Sequence, residues 1–529
     1  MPIQCRIKSN LYKDSVSLMR VAEALLRMEG IRRATLMMAT PANLEILTEA
    51  GLLLTDAKVA KPSDLLVVID ADKAASADAA FAEADKRLSG GDGDNAGSTL
   101  AKITPKTLVM GMAELPEARL AQISVPGTYA AAEALKALKR GLNVFMFSDN
   151  VSIAQELALK KLAEKKGLLM MGPDCGTAII GGVPLGFANT VRRGRIGVVA
   201  ASGTGLQEIT SQIHRMGEGI SHAIGTGGRD LYAEIGGITL CQGLRMLAAD
   251  KGTEVIVIAS KPPAPEVAAK VLDEASRAGK PVVVLFLGDT GSAASHGVHR
   301  VANLYDAARV ACALAAGRPV DSAAAPAADP RAKVLAAMLA PGQRYLRGLF
   351  SGGTYCTEAQ IVLRDAGIST WSNVPVDKAH ELADPKKSRE HTVVDLGSDE
   401  FTVGRPHPMI DFGSRAERLL AEADDPQTAV ILLDIVLGYG SHADPAAALA
   451  PAIAEARAKA KAGGRTLVFV GFVCGTEEDT QQLSVQKRAL EAQGIAMTDS
   501  SAAAAALAGA VVAHSAHGVV PAGKVARSV

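Results

Sequence analysis

Apolar residues recur along this chain in two alternating rhythms. Helical spacing covers Ser15–Glu29 and Ala74–Leu88, while Ala34–Met38 and Asp64–Asp70 are short apolar runs that predict strands. From Leu120 the alternation sharpens. Strand 120–125 precedes helix 126–141, strand 143–148 precedes helix 149–166, and strand 168–172 ends in the turn Gly172-Pro-Asp-Cys-Gly-Thr177. Further strands are predicted at Arg195–Ala201, Glu254–Ser260, Pro281–Leu287, Tyr345–Phe350, Thr428–Ile435 and Leu467–Val473. Several of them run into glycine turns: Ser202-Gly-Thr-Gly205, Ser351-Gly-Gly-Thr-Tyr355, Gly438-Tyr-Gly-Ser-His442 and Cys474-Gly-Thr476. Apolar strand, glycine turn and helix in repeated sequence predict parallel α/β layers and suggest an internal structural repeat.

The domains expected are 1–177, 194–317 and 342–513, with the Ala- and Pro-rich 318–341 as a linker. The segment 177–193 is read as a boundary loop, Gly90–Ser98 as a flexible surface loop, and the tail after Val512 as frayed. No GxGxxG follows the first strand, so the dinucleotide fingerprint is absent. Thr204 and Gln207 have the spacing of a capping box.

Composition narrows the function classes. Lys+Arg and Asp+Glu are both 56, and aromatics are 3%, so neither a basic face nor stacking platforms for nucleic acid are expected. Six scattered cysteines without a CxxC pair argue against a disulfide framework or a metal site. The first residues lack a signal-peptide pattern and the apolar run 502–513 is too short to span a bilayer, so a soluble cytoplasmic protein is expected.

The turn after Arg195–Ala201 is the centre of the chemical reading. A glycine turn between a buried strand and a helix leaves backbone N–H groups pointing into a cleft, which favours an anion; by itself it is equally an ordinary βα turn.

Several segments resemble known families. Met171–Gly176, Gly194–Val199, Ala201–Thr204 and Gly225–Gly228 are similar to the α subunit of succinyl-CoA synthetase. Val394–Gly397, Asp425–Gly440 and Leu490–Ile495 are similar to the C-terminal domain of its β subunit. In order from Asp14 to Asp411, DSVSLM, ATPAN, FMFSDN, MGPDCGT, ASGTG, GEGISHAIG, GGRDL and VGRPHPMID resemble the FdrA family. The resemblance implies a Rossmann-type, CoA-binding-like N-terminal domain followed by two flavodoxin-like domains with parallel sheets, without an ATP-grasp domain. It also implies two helix N-termini converging on one phosphoryl group, Ser202, Gly203, Thr204 and Gly205 supplying one and Gly438, Tyr439, Gly440 and Ser441 the other.

The phosphohistidine of the synthetases has only His296 as a counterpart, outside their flanking context, and the Glu that holds it is replaced by Lys261. Lys261 becomes an anion contact or a solvated residue before a Pro-Pro turn. Arg229 can grip a carboxylate or sit in a surface turn with Asp230. His407, between Pro406 and Pro408, can act as general acid or base, or pack, or meet a partner. Asp174, Asn150 and Arg405 are candidate substrate contacts, Asn150 being equally a helix cap. Cys175 lacks a sequence-evident His partner and is a poor nucleophile candidate.

What the FdrA resemblance implies functionally is one subunit of a phosphate-dependent carbamoyltransferase of ureide breakdown. Oxalurate and phosphate become oxamate and carbamoyl phosphate, with other subunits as partners, phosphate as substrate and no metal. The alternatives are an acyl-CoA synthetase subunit using coenzyme A, and a non-catalytic scaffold that binds an acyl phosphate.

Overall fold

A computed structural model describes residues 3–13, 15–40, 43–44, 47–48, 51–52, 57, 59–89, 105–289, 297–320, 329–402 and 405–515. The expected loop 90–98, His296 and the tail beyond 515 lie outside the described residues. The chain divides into two compact units, Met1–Met170 with Thr402–Pro406, and Met171–Phe401 with His407–Val529.

The first unit holds two sheets. Strands β1 (Gln4–Lys8), β2 (Ile31–Met38) and β3 (Leu65–Ala71) are antiparallel in the order β1-β3-β2. β3 is central and buried on both faces, which is why Leu65–Ile69 reads as an unbroken apolar run. The helices Ser15–Leu26 and Ala74–Ser89 share one core with it. Strands β4 (Leu120–Ile123), β5 (Asn143–Met146) and β6 (Met170–Met171) form a second sheet, with β4 and β5 parallel and helix Gly127–Lys139 between them. Helix Ile153–Lys166 follows β5 and is opened by a capping box of Ser152 and Gln155. The Rossmann-type layer of residues 1–177 is therefore confined to about Leu120 onward, and an antiparallel layer precedes it. Periodicity located the strands but not their partners, because an apolar run has no direction.

The second unit begins earlier than the expected boundary at 194. Strands β7 (Thr177–Ile180) and β8 (Val183–Gly186) form a hairpin across Gly181-Gly182, whose φ of 60° and 87° suit a two-residue turn. Instead of a loop, this hairpin adds two strands to a sheet. With β9 (Arg193–Ala201), β10 (Ile220–Gly225), β11 (Val255–Ser260), β12 (Val282–Phe286) and β13 (Val298–Arg300), it makes a seven-stranded sheet in the order β13-β12-β11-β9-β10-β7-β8. The strands from β9 to β13 are parallel, and β7 is antiparallel to β10.

A second, all-parallel sheet has the order β15-β14-β16-β17-β18, from β14 (Tyr345–Phe350), β15 (Thr392–Asp395), β16 (Thr428–Val436), β17 (Val468–Cys474) and β18 (Ala496–Thr498). Helices Gly203–Arg215, Leu304–Ala315, Gly353–Asp365 and Ser501–His514 share one apolar core between the two sheets. The expected linker is not wholly unstructured. Arg331–Ala336 is helical, and Ala332 and Ala336 join that core. Among the described residues no helix is long and apolar enough to cross a membrane.

Candidate functional site

β9 and β14 are interior strands of their sheets, and each ends in a small-residue turn that starts a helix. After β9, Ser202 is the N-cap of helix Gly203–Arg215, its Oγ accepting from Gly205 N at 2.9 Å. The cap is thus Ser202, not the expected pairing of Thr204 with Gln207; Gln207 instead donates to Asn189 Oδ1 at 3.2 Å. After β14, Gly352 is the N-cap of helix Gly353–Asp365 and brings no side chain to it.

These two helix starts meet. Ser202 Oγ and Thr354 Oγ1 are 2.5 Å apart, and a Cβ on Gly352 would stand 2.5 Å from Thr204 Cγ2. Glycine at 352 is what allows the backbones to approach this closely. No described residue accepts from the N–H groups of Gly203, Thr204, Gly353 or Thr354. Each helix start carries roughly half a positive charge, so the pair forms one electropositive focus.

The second helix start is therefore Gly352–Thr354, and the expected cradle at Gly438–Ser441 is corrected. That segment precedes no helix directly; the next one, Pro445–Ala462, is capped by Asp444. Gly438 N donates to Gln481 Oε1 at 3.1 Å, Tyr439 N to Ala188 O at 2.8 Å, and Ser441 N to Gly438 O at 3.4 Å. Three of the four amide donors are thus used internally, and Gly440 N alone has no acceptor among the described residues. A Cβ on Gly440 would stand 2.8 Å from the Phe187 ring, which in turn lies 5.7 Å from the His407 ring.

Two side chains flank the second helix start. The point a Cβ on Gly353 would occupy is 2.6 Å from Lys261 Nζ and 2.6 Å from Asp395 Oδ2. Lys261 follows β11 and Asp395 ends β15, so the seven-stranded sheet contributes the cation and the five-stranded sheet the carboxylate. Asp395 Oδ1 accepts from Gly397 N at 2.9 Å. Burial pushes the Asp395 carboxyl up to about 6, against the pull of Lys261 and the Gly397 bond, with Asp434 and Glu400 adding to the rise.

His407 Nε2 lies 2.8 Å from the point a Cβ on Gly397 would take. Its Nδ1 accepts from Met409 N at 3.3 Å, which leaves the Nε2 proton on a neutral ring. Burial, then the charge of Arg415, lowers this imidazole to about 4. At neutral pH the ring is neutral and its Nε2–H is a hydrogen-bond donor.

The turn is braced from below. Ser351 N and Oγ donate to Asp434, at 3.0 and 2.5 Å, and Arg415 pairs with the same carboxylate at 2.8 Å inside the protein. Asp434 and Arg415 are 0% and 1% exposed.

The other sequence candidates distribute as follows. Thr177 Oγ1 is 3.5 Å from the point of a Cβ on Gly203, so the turn 172–177 borders the first helix start. Asp174 is exposed there, its Oδ2 3.6 Å from the point of a Cβ on Gly228. Cys175 is buried. Arg229 is partly buried and its neighbour Asp230 is fully buried, donating no surface turn; Asp230 instead accepts from Thr239 N and Leu240 N to cap helix Ile238–Ala249. Asn150 is exposed in the first unit, and the cap of the following helix is Ser152. Arg405 is exposed and groups with the first unit. Sequence reasoning missed Gly352, Gly353, Thr354 and Asp395. The signal of the first three was visible as Ser351-Gly-Gly-Thr after an apolar strand, the same grammar as Ser202-Gly-Thr-Gly205.

Comparison with known proteins bears on this geometry. Residues 349–511 match the CoA-ligase family, 191–288 match the CoA binding domain, and 1–103 match the AllF, heavy metal-associated domain. The CoA binding match thus falls on the seven-stranded sheet and not on 1–177. The uncharacterized protein YahF of Escherichia coli (strain K12) is 43% identical over 503 residues, 95% of this chain and 97% of its own. Subunit alpha 2 of the ADP-forming succinate–CoA ligase of Archaeoglobus fulgidus is 28% identical over 180 residues, 33% of this chain and 60% of that subunit. Subunit SauD of the ADP-forming sulfoacetate-CoA ligase of Bilophila wadsworthia is 25% identical over 148 residues, 27% of this chain and 49% of that subunit. The chain thus spans about half to three-fifths of these two ligase subunits.

The heavy metal that names the AllF domain does not fit the cysteine and histidine content of residues 1–103. Residues 1–103 contain one cysteine and no histidine, and burial raises the Cys5 thiol away from the thiolate a soft metal needs.

Proposed function

The chain belongs to the FdrA family, and on that premise we propose that it makes or consumes an acyl phosphate between its two facing helix starts, as a subunit of an acid–thiol ligase. The observation that carries this is the meeting of Ser202–Gly205 with Gly352–Thr354, each start supplying amide donors without an internal acceptor. Preorganised donors of this kind act on the charge that develops on a phosphoryl or acyl oxygen, each contributing about 3 kcal/mol, roughly 10²-fold in rate. Phosphate and the thiol of coenzyme A are then the substrates exchanged at the acyl carbon. The two ligase relatives, with their different acids, support the reaction class rather than any one acid. Nucleotide chemistry falls to a partner subunit in this reading.

A second reading rests on Lys261. A cation beside the phosphate site, where the synthetases place a Glu to hold phosphohistidine, suits direct attack by inorganic phosphate without a phosphoenzyme. The acyl group is then carbamoyl, with oxalurate as donor and oxamate as product, and the partners are the other subunits of a carbamoyltransferase. One assay separates the two. The chain, with its co-expressed neighbours, is given phosphate and either an acyl-CoA or oxalurate, and acyl or carbamoyl phosphate is trapped with hydroxylamine. Hydroxamate formed from acyl-CoA only when both phosphate and the protein are present supports the ligase, and phosphate-dependent hydroxyurea from oxalurate the transferase. Neither product, under conditions where the complex is assembled, rejects both and leaves the anion-binding scaffold.

A further inference from the structure

Either acyl exchange carries a requirement that the helix-start amides and His407 do not meet. When an oxygen of HPO4²⁻ attacks the acyl carbon, a C–O bond forms and the bond to the leaving atom breaks, sulfur in a thioester or nitrogen in oxalurate. The phosphate proton must end on that leaving atom. The amide N–H groups at the helix starts hold charge but do not release protons. His407 is neutral with Nδ1 already engaged.

We propose that Asp395 is the proton carrier of this site and that Lys261 holds the phosphate oxygen beside it. This rests on the acyl-phosphate reading above. Asp395 is 7% exposed, and its Oδ1 is fixed by Gly397 N. Its Oδ2 has no hydrogen bond among the described residues and is aimed at Gly353, on the same side as Lys261 Nζ. The strand end is itself anchored, because Asp395 N donates to Asn373 Oδ1 at 3.0 Å while Asn373 Nδ2 returns to Asp395 O at 3.1 Å. The backbone and Oδ1 of Asp395 are thus both held, and glycine at 353 leaves the approach to Oδ2 open. In the forward direction Asp395 takes the proton as the phosphate oxygen attacks and delivers it to sulfur or nitrogen as that atom departs, ending in its starting state. The charged groups facing it are Lys261 from the end of β11, Asp434 from β16 and Glu400 from helix Asp399–Thr402, with the neutral His407 beside them. Their balance with burial leaves both forms of the carboxyl available near neutral pH.

The test uses the full chain with its co-expressed partners, inorganic phosphate as the binding probe, and acetyl-CoA, succinyl-CoA and oxalurate as donors. Asp395→Asn keeps the Gly397 bond. It should lower turnover by about 100-fold or more while phosphate binding, followed by 31P NMR, stays unchanged. The wild-type rate should rise with pH through the region near 6 and the D395N rate should be flat. Lys261→Met should instead weaken phosphate binding and keep the limb. Turnover unaffected in D395N overturns the proposal, and so does loss of phosphate binding in D395N, which would make Asp395 a binding or structural residue. Should D395N not fold, Asp395→Glu reads the same point, since a carrier keeps a displaced limb and a structural residue shows none. Absence of phosphate binding in the wild type sinks the acyl-phosphate reading itself, independently of Asp395.

Discussion

Replacing Glu358 by Gln should make the second unit more stable at pH 8 and leave it nearly unchanged at pH 4. Glu358 lies on helix Gly353–Asp365, 1% exposed, in the core shared by both sheets. It accepts from Leu304 N at 2.8 Å and from Ser501 Oγ, and no cation pairs with it. Burial raises its carboxyl from 4.5 to about 7, assisted by the charges of Glu208 and Asp306. The folded value lies above the unfolded one, so between those values the native state binds more protons. Stability is then fully present below 4.5 and falls as pH rises through 7. A displacement of about 2.5 units corresponds to about 3 kcal/mol at 1.36 kcal/mol per unit. Gln keeps both hydrogen bonds, its Nε2 donating to Ser501 Oγ, and removes the titration. The neighbouring Glu208, also raised by burial, titrates as part of the same pair, so the measured change belongs to both. Urea unfolding of wild type and E358Q at pH 4, 6 and 8, followed by the circular dichroism of the whole chain, gives the difference directly. A constant difference across that range would refute the reasoning, because it would mean that Glu358 is ionised in the folded protein at its ordinary value.

Gly353→Ala should cut phosphate-dependent turnover by about 100-fold with little loss of stability, since its Cβ meets only the ends of Lys261 and Asp395, at 2.6 Å each; hydroxamate assays and thermal melts check both halves. Gly438→Ala should do the reverse. With φ at 102° and a Cβ 2.4 Å from Ala188 O, it should destabilise the fold by about 3 kcal/mol and leave phosphate affinity unchanged in 31P titrations. His407→Gln should remove a loss of stability that the wild type shows as pH falls from about 6.5 through 4. A folded value below the unfolded one contributes stability that is present at high pH and lost on acidification. Paired denaturant curves at pH 4.5 and 7.5 measure it, and identical curves for the two proteins would remove His407 from the buried neutral state assigned here.

Much of the fold was legible because strands buried on both faces, such as Leu65–Ile69 and Thr428–Ile435, announce themselves as unbroken apolar runs. Helices with one buried stripe did the same through their spacing. Partner and direction were not legible. The antiparallel pairing of β1 with β3 and the addition of the β7–β8 hairpin to a parallel sheet depend on residues far apart in the chain. The chain at Ser202–Gly205 was read as strand, glycine turn and helix, and the structure has that arrangement. The helix start facing it was expected at Gly438–Ser441 and lies at Gly352–Thr354. Ser351-Gly-Gly-Thr and Gly438-Tyr-Gly-Ser look alike as strings, and only the fate of their N–H groups separates them: without acceptors at Gly353 and Thr354, taken by Gln481 and Ala188 at Gly438 and Tyr439.

The sequence by itself determined the α/β class, the family, the apolar strands and the strand, glycine turn and helix at Ser202–Gly205, because each is written in neighbouring residues. Tertiary structure alone decided which second helix start faces that turn, and that Lys261 and Asp395 flank it. Those residues lie 134 positions apart, at numbers 261 and 395, and converge because parallel strands of two sheets deliver their ends to one place. It also decided that Glu208, Glu358 and Asp395 are raised carboxyls and His407 a lowered imidazole. Burial sets each of those shifts, and burial is a property of the packed chain.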